Sequence, residues 1–342
     1  MRLGVICPSE IAFRRFMPAL QLVDGLEFKG LGIYLRDERF RNEILAENVI
    51  QDKLKKEYQK AKAFIDLYGG KIFEGYRTIV ESSEIDAIYI PLPPALHYQW
   101  AKKALECGKH VLVEKPFTIS LEETRELVEM AETRGLALHE NYMFNFHQQL
   151  NAIEKIIENG EIGDVRLYRI SFGFPQREAT DFRYNRSLGG GALIDAGGYT
   201  IKYASRLLGE TAKIKYAQMN YTDRFEVDIY GSAAIVNEKG ITAQIAFGMD
   251  NEYKCELEVW GSKGCLRTGR VLTAPAGFFP EIIIRKNNRN EKRQLPEDNA
   301  FKKSIERFLQ CIQNNKIRRA NYKEILKQAE MVDEFGRVAG KQ

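Results

Sequence analysis

The first part of the chain alternates short apolar runs with amphipathic helical patterns, and this alternation constrains the fold more than any other feature. The runs lie at 3–6, 31–35, 87–90, 111–113 and 137–138. Helical patterns cover 96–105 and 121–133, the second with Leu127, Val128 and Ala131 on one face. Ser120 followed by Glu123 fits the capping box that starts such a helix. A longer pattern over 42–68 carries only a modest stripe (Ile50, Leu54, Ala61, Ile65, Tyr68), and its many charges read as a solvated face. Strand–helix alternation implies a parallel sheet with helices on both faces, and in such sheets ligands bind beyond the carboxyl ends of the strands.

Near residue 145 the pattern changes. A helix at 150–158 precedes a strand at 165–172 and a glycine-rich helix. Strands then follow without intervening helices, at 214–221, 226–235, 242–247, 255–260 and 281–285, parted by turn residues such as Glu238-Lys239-Gly240 and Asn287-Asn288. Consecutive strands of this kind imply antiparallel pairing. The predicted fold class is therefore α/β: an N-terminal Rossmann domain over 1–142 and a C-terminal α+β domain over 143–342 with an open, mainly antiparallel sheet. Closing helices at 300–312 and 322–338 are free to pack back on the first domain.

At 342 residues the chain is long enough for both domains, and a formal net charge of +4 without a basic aromatic-laced patch argues against nucleic acid. The five cysteines are widely spaced with no C-x-x-C, which points to reduced thiols, a cytoplasmic setting and neither a disulfide frame nor a zinc site. The apolar run at 3–6 is too short for a signal peptide, and no stretch is long enough to span a membrane. His139, Glu140 and His147 form no metal-binding spacing, so no metal is expected.

The turn after the first strand, Cys7-Pro8-Ser9-Glu10-Ile11-Ala12, stands where a dinucleotide fold places G-x-G-x-x-G/A. Cys7 and Ser9 replace the first two glycines, and their Cβ atoms hinder approach of a pyrophosphate. The helix start over Ser9, Glu10 and Ile11 still favours an anion. From these residues alone an ordinary βα turn fits as well. The second strand ends Tyr34-Leu35-Arg36, with leucine in the usual acidic slot and arginine next, which favours NADP(H) over NAD(H). Pro91-Leu92-Pro93 makes a stiff turn after the strand at 87–90, where a nicotinamide would lie. His97 opens the next helix, as a cofactor contact or a cap.

Two motifs carry the chemistry. Glu114-Lys115-Pro116 puts a lysine at the mouth of the parallel sheet, and Gly189–Tyr199 puts Asp195 and Tyr199 four residues apart on one helical face. Hydride delivery to a ketone creates an alkoxide that needs a proton. A phenol with a pKa near ~10 serves only when a cation steadies its anion. Lys115 and Tyr199 are the natural pair. A lone tyrosine here would read as a packing aromatic. The lysine motif, and Gly197 and Gly198 inside the helix, turn the reading toward catalysis, with the glycines admitting nicotinamide and substrate.

These motifs resemble those of the Gfo/Idh/MocA oxidoreductases, the relatives of glucose–fructose oxidoreductase and inositol dehydrogenase. The resemblance runs over nearly the whole chain. Ile90–Trp100, Glu140-Asn141-Tyr142-Met143-Phe144, Asp181-Phe182-Arg183-Tyr184 and Ile11-Ala12-Phe13-Arg14-Arg15 look most like the NDP-hexose 3-ketoreductases. The resemblance implies a nicotinamide domain, a second-domain sheet that joins subunits into a homodimer or homotetramer, Lys115 at the substrate carbonyl and Tyr199 as acid/base. Glu114 and Lys115 would then also border the cofactor. Cys7 departs from the glycine the family keeps. The resulting expectation is NADP(H)-dependent reduction of the C3 ketone of a nucleotide-linked deoxysugar, by Lys115, Tyr199 and Asp195. Two other readings fit the same residues: a dehydrogenase of free sugars or trans-dihydrodiols, and a non-catalytic nucleotide- or sugar-binding protein.

Overall fold

The computed structural model describes residues 1–39 and 46–340, divided into two compact units. One comprises Met1–Thr118, Glu122–Asn141 and Ser304–Ile325; the other Ile119–Leu121, Tyr142–Lys303 and Leu326–Gln342. The closing helices, Ala300–Gln313 and Asn315–Val338, are thus each shared between the units.

The first unit holds a six-stranded parallel sheet. Its strands are β1 (Arg2–Ile6), β2 (Glu27–Ile33), β3 (Lys71–Glu74), β4 (Ala87–Ile90), β5 (His110–Val113) and β6 (Leu138–Glu140), in the order β3-β2-β1-β4-β5-β6. This is the doubly wound dinucleotide-binding order, whose direction reverses between β1 and β4. Ala87, Ile88, Tyr89 and Ile90 are all fully buried, as a central strand covered on both faces requires. Helices Glu47–Tyr68, Tyr76–Glu81, His97–Glu106 and Leu121–Arg134 make the later crossovers. The start of the helical pattern expected at 42–68 lies outside the described residues.

The second unit holds an eight-stranded mixed sheet: β7 (Val165–Gly173), β8 (Lys213–Thr222), β9 (Phe225–Val236), β10 (Thr242–Gly248), β11 (Lys254–Gly261), β12 (Cys265–Gly269), β13 (Glu281–Lys286) and β14 (Arg289–Gln294). All pairings are antiparallel except β7 with β10. One face buries Tyr168, Ile170, Phe172, Ile229, Ile245 and Leu257 against a core that includes Leu150, Ile153, Ile201 and Leu208 from the helices Gln148–Glu158 and Gly198–Leu208. Asn287 and Asn288 both adopt positive φ, 48° and 61°, and close the β13–β14 hairpin as a primed turn does.

Three strands escape the sequence pattern. In β3 only Ile72 and Phe73 are apolar, β12 alternates around a single aliphatic residue, Leu266, and β14 (Arg-Asn-Glu-Lys-Arg-Gln) has no apolar residue. β3 and β14 are edge strands, where charge is an asset because it discourages pairing with other chains.

Candidate active site

Lys115 lies two residues beyond the end of β5, and its peptide bond to Pro116 is cis. Four buried or half-buried side chains hold the surrounding loop. The Tyr89 hydroxyl and the Asn141 amide both donate to Glu114 Oε1 at 2.6 Å. The Phe117 N–H donates to Glu140 Oε1 at 2.9 Å. His97 sets Nδ1 at 2.8 Å from the Pro116 carbonyl and Nε2 at 2.7 Å from the Leu92 carbonyl. The turns after β4 and β5 are therefore pinned to one ring. Burial pushes the Glu114 carboxyl up, against the pull of the Tyr89 and Asn141 donors and the Lys115 charge.

This overturns the expectation for His97. The ring is 0 % exposed and both nitrogens already face carbonyls, so it can neither reach a cofactor ribose nor cap its helix. Two acceptors favour the imidazolium, but burial opposes it more strongly and lowers the pKa to about 4.

In the second unit, the segment before Tyr199 is shaped by contacts of its own. Gly191 has φ 124°, and a Cβ there would strike the Asp228 carboxylate. That carboxylate accepts the Leu193 N–H at 2.6 Å at the start of a wide π-helical turn, Leu193–Gly197, which continues as Gly198–Leu208. A Cβ on Gly198 would collide with the Tyr142 hydroxyl, and one on Gly197 would crowd the Phe247 ring. The groups that need these glycines are therefore protein side chains, not the nicotinamide and substrate expected from sequence.

Asp195, 8 % exposed, takes a 2.7 Å bond from Arg183 Nε, and Arg183 also donates to Asp181 at 3.1 Å. One turn on, half-buried Tyr199 stands edge-on to Tyr142 (5.1 Å, 89°) and meets Phe172 (5.2 Å) and Phe144 (5.7 Å). An aromatic wall of this kind fixes the phenol ring by packing. The sequence offers Arg183, Tyr184, Asn145 and His147 equally as pocket-lining or structural residues, and it does not point to Asp228; that the fold brings Arg183 and Asp228 to one helix start is something spacing does not reveal. Of the other residues near these motifs, His147 caps the helix Gln148–Glu158 through Nδ1, and the Asn145 carbonyl takes a bond from Arg206.

The turn after β1 has the backbone of a dinucleotide loop despite its residues. Cys7 sits at φ 78°, the left-handed conformation for which such loops keep glycine. Ser9 Oγ accepts the Ala12 N–H at 3.2 Å and so caps the helix start, with exposed Glu10 and Ile11 in its first turn. Helical first-turn N–H groups of this kind lack carbonyl partners and suit a phosphate. Arg36, beyond the carboxyl end of β2, pairs with Glu47 at 2.8 Å, and both side chains are exposed. Pro91 and Leu92 are buried at the end of β4, beside half-buried Pro93.

A doubly wound sheet with a lysine at the carboxyl edge, joined to an α+β unit that presents a carboxylate and a phenol on one helix, defines a two-domain oxidoreductase. The chain belongs to the Gfo/Idh/MocA family: residues 44–142 match the oxidoreductase family with the NAD-binding Rossmann fold, and residues 150–267 match the GFO/IDH/MocA C-terminal domain. It is 34% identical over 333 residues to a dTDP-3,4-didehydro-2,6-dideoxy-alpha-D-glucose 3-reductase of Actinomadura kijaniata, covering 97% of this chain and 94% of the relative. A reductase of the same description from Streptomyces violaceoruber is 35% identical, with the same coverage. The crystal structure of a 3-ketoreductase from Actinomadura kijaniata with NADP and TDP-benzene superposes with a TM-score of 0.87 at 35% identity, over 97% of this chain and 96% of that one. Crystallised variants of that ketoreductase replace one tyrosine by phenylalanine and one lysine by alanine. Among the described residues no helix is long and apolar enough to cross a membrane.

Proposed function

We propose that this protein is an NADPH-dependent ketoreductase acting on the C3 carbonyl of a nucleotide-linked keto-deoxysugar. The observation that carries the reading is the end-to-end likeness to dTDP-sugar 3-reductases, at 34% identity over 97% of the chain. The built surroundings of Lys115 and Tyr199 support it.

NADPH, when bound, supplies the hydride that reduces the sugar ketone. The first-turn N–H groups of Glu10 and Ile11, with the Ser9 hydroxyl beside them, would hold its pyrophosphate, with the Cys7 backbone turned to admit it, and Arg36 would exchange Glu47 for the 2′-phosphate. Pro91, Leu92, Pro93, Glu114 and Lys115 would border the nicotinamide end, at the carboxyl edge of the sheet. The Lys115 ammonium polarises the ketone. Tyr199 gives its phenolic proton to the new alkoxide. Asp195, held by Arg183, keeps the helix and its phenol in place.

The outer face of the second sheet supports a homo-oligomer. Tyr216, Tyr230 and Trp260 are each about half exposed there, beside Arg169 and Gln244. The five free cysteines suit a reducing cytoplasm.

The test is NADPH oxidation with a dTDP-3-keto-deoxysugar, with free xylose and NADP+ as the competing assay. Lys115→Ala and Tyr199→Phe should each lower kcat by at least about 100-fold while NADPH still binds. Full turnover by Lys115→Ala would refute the assignment.

A further inference from the structure

The helix that carries Asp195 and Tyr199 begins without a cap of its own. It starts at Leu193 after Gly189-Gly190-Gly191-Ala192, and Ala192 in the capping position has no side-chain acceptor to offer. The acceptor comes from β9 instead. The Asp228 carboxylate takes the Leu193 N–H at 2.6 Å, and Asp228 is 8 % exposed. A carboxylate at a helix start also meets the positive end of the helix dipole. Gly191 makes room for it, because a Cβ there would lie 2.5 Å from Asp228 Oδ1.

β9 is bent so as to deliver that carboxylate. Its pairing with β8 steps from Asn220–Tyr230 to Tyr221–Asp228, which leaves Ile229 as an extra residue, a β-bulge. Strict alternation from Tyr230, 45 % exposed, would turn Asp228 outward with it. The bulge instead buries Asp228 beside Ile229, on the face that packs against Leu193 and Ala196. Bulges re-aim side chains in this way.

The grip on Leu193 reaches Tyr199 through the backbone. The Leu193 carbonyl accepts the Gly198 N–H, the bond that closes the wide turn Leu193–Gly197, and Gly198 is joined to Tyr199. One residue thus gives its N–H to Asp228 and offers its carbonyl to the residue before the phenol. The far end of the turn is held as well. Thr200 Oγ donates to the Gly197 carbonyl at 2.9 Å, and the Gln328 amide donates to the Gly198 carbonyl at 2.9 Å. A π-turn winds one residue more into a helix than an α-turn does, so it sets the direction in which the following side chains leave it.

We propose that Asp228 is a positioning residue for Tyr199: its carboxylate anchors the first residue of the wide turn and so fixes the direction in which the phenol leaves the helix. The proposal rests on Tyr199 as the proton donor in ketone reduction, as given above. It assigns a role in proton transfer to a strand residue that does not touch the reacting atoms.

Two readouts test it, one of them without substrate. Hydrogen exchange over the segment 193–199, followed by mass spectrometry, should speed up at least about tenfold in Asp228→Ala. It should change less in Asp228→Asn, which keeps an acceptor oxygen. In ketone reduction Asp228→Ala should lower kcat about tenfold while KM for the sugar changes by less than about twofold, and Asp228→Asn should stay within about threefold of wild type. In the Tyr199→Phe background Asp228→Ala should lower kcat no further, because the phenol through which it acts is gone. A purely structural defect would lower kcat equally in both backgrounds, and that result overturns the proposal. Unchanged exchange in folded Asp228→Ala overturns it too. Should that variant fail to fold, Asp228→Ser, whose oxygen lies one bond nearer its own backbone, takes its place with the same expectations. If exchange speeds up but the wild-type chain reduces no nucleotide sugar, the proposed function fails and the anchoring of the turn by Asp228 stands.

Discussion

Arg183 Nε donates to Asp195 Oδ2 at 2.7 Å across the glycine turn that separates them, and the same guanidinium reaches Asp181. The side chains of Arg183 and Asp195 are 18% and 11% exposed, so water does little to support either charge. Truncating one partner of such a pair leaves the other charge buried and uncompensated. Arg183→Met should therefore lower the unfolding free energy by about 3 kcal/mol, read from urea midpoints. The charge-removing double variant Arg183→Met/Asp195→Asn should recover part of that loss. A single variant as stable as wild type would show that the pair carries no weight.

The Tyr142 hydroxyl occupies the space where Gly198 would carry a Cβ. Gly198→Ala adds a methyl group to a packed contact, a change that costs about 1–3 kcal/mol, against a helix-propensity gain of about 1 kcal/mol. The net destabilisation should largely vanish in the Tyr142→Phe background, which lacks the clashing oxygen. A thermal-melt double-mutant cycle measures that coupling. Equal costs in both backgrounds would mean that the helix simply shifts away.

Much of this was legible in the sequence, and the rest was hidden for identifiable reasons. The buried run Ala87–Ile90 and the lysine after Val113 announce a covered parallel sheet with a functional edge, because both signals are local. β14 could not be read, since a charged edge strand has no apolar period to detect. His97 misled because a histidine at a strand-end turn looks the same whether it faces solvent or two carbonyls, and only the packing of β4 against β5 decides. Gly197 and Gly198 correctly signalled a close approach, but the approaching Phe247 and Tyr142 come from distant strands and loops. Arg183 stands out in the sequence as part of Asp181-Phe182-Arg183-Tyr184, but its pairing with Asp195 does not. Its link to Asp195 depends on a glycine turn that brings the two together.

His97 gives a pH prediction with a definite sign. Burial holds its pKa at about 4, below the ordinary imidazole value of 6.5. Between those values the unfolded chain takes up a proton that the folded ring refuses. The stability it contributes is thus full above pH 6.5 and is lost as pH falls toward 4, by about 3 kcal/mol in all. His110 and His147 are shifted the same way by burial, so wild type alone does not isolate the effect. The gap in unfolding free energy between wild type and His97→Gln does. It should be widest near pH 7 and should narrow toward pH 4. A gap that stays constant would mean that the buried ring is already charged.

Cys7 offers a test of the dinucleotide turn itself. Its φ of 78° is a conformation that costs a side-chain-bearing residue roughly 1 kcal/mol and glycine almost nothing. The strain persists because the flanking bonds over-determine the turn: Cys7 N–H donates to the Gly32 carbonyl at 3.0 Å, and Ser9 N–H to the Cys7 carbonyl at 2.9 Å. Cys7→Gly keeps both bonds, releases the strain and removes the Cβ from the path of a pyrophosphate. It should leave the unfolding free energy unchanged or raise it by up to about 1 kcal/mol, and should tighten NADPH binding several-fold. Fluorescence titration with NADPH provides the measurement. Cys7→Val should do the opposite on both counts, because a β-branched residue tolerates positive φ least. If Cys7→Gly binds NADPH no better while Cys7→Val abolishes binding, the thiol itself contributes to the site and the steric account of this turn is wrong.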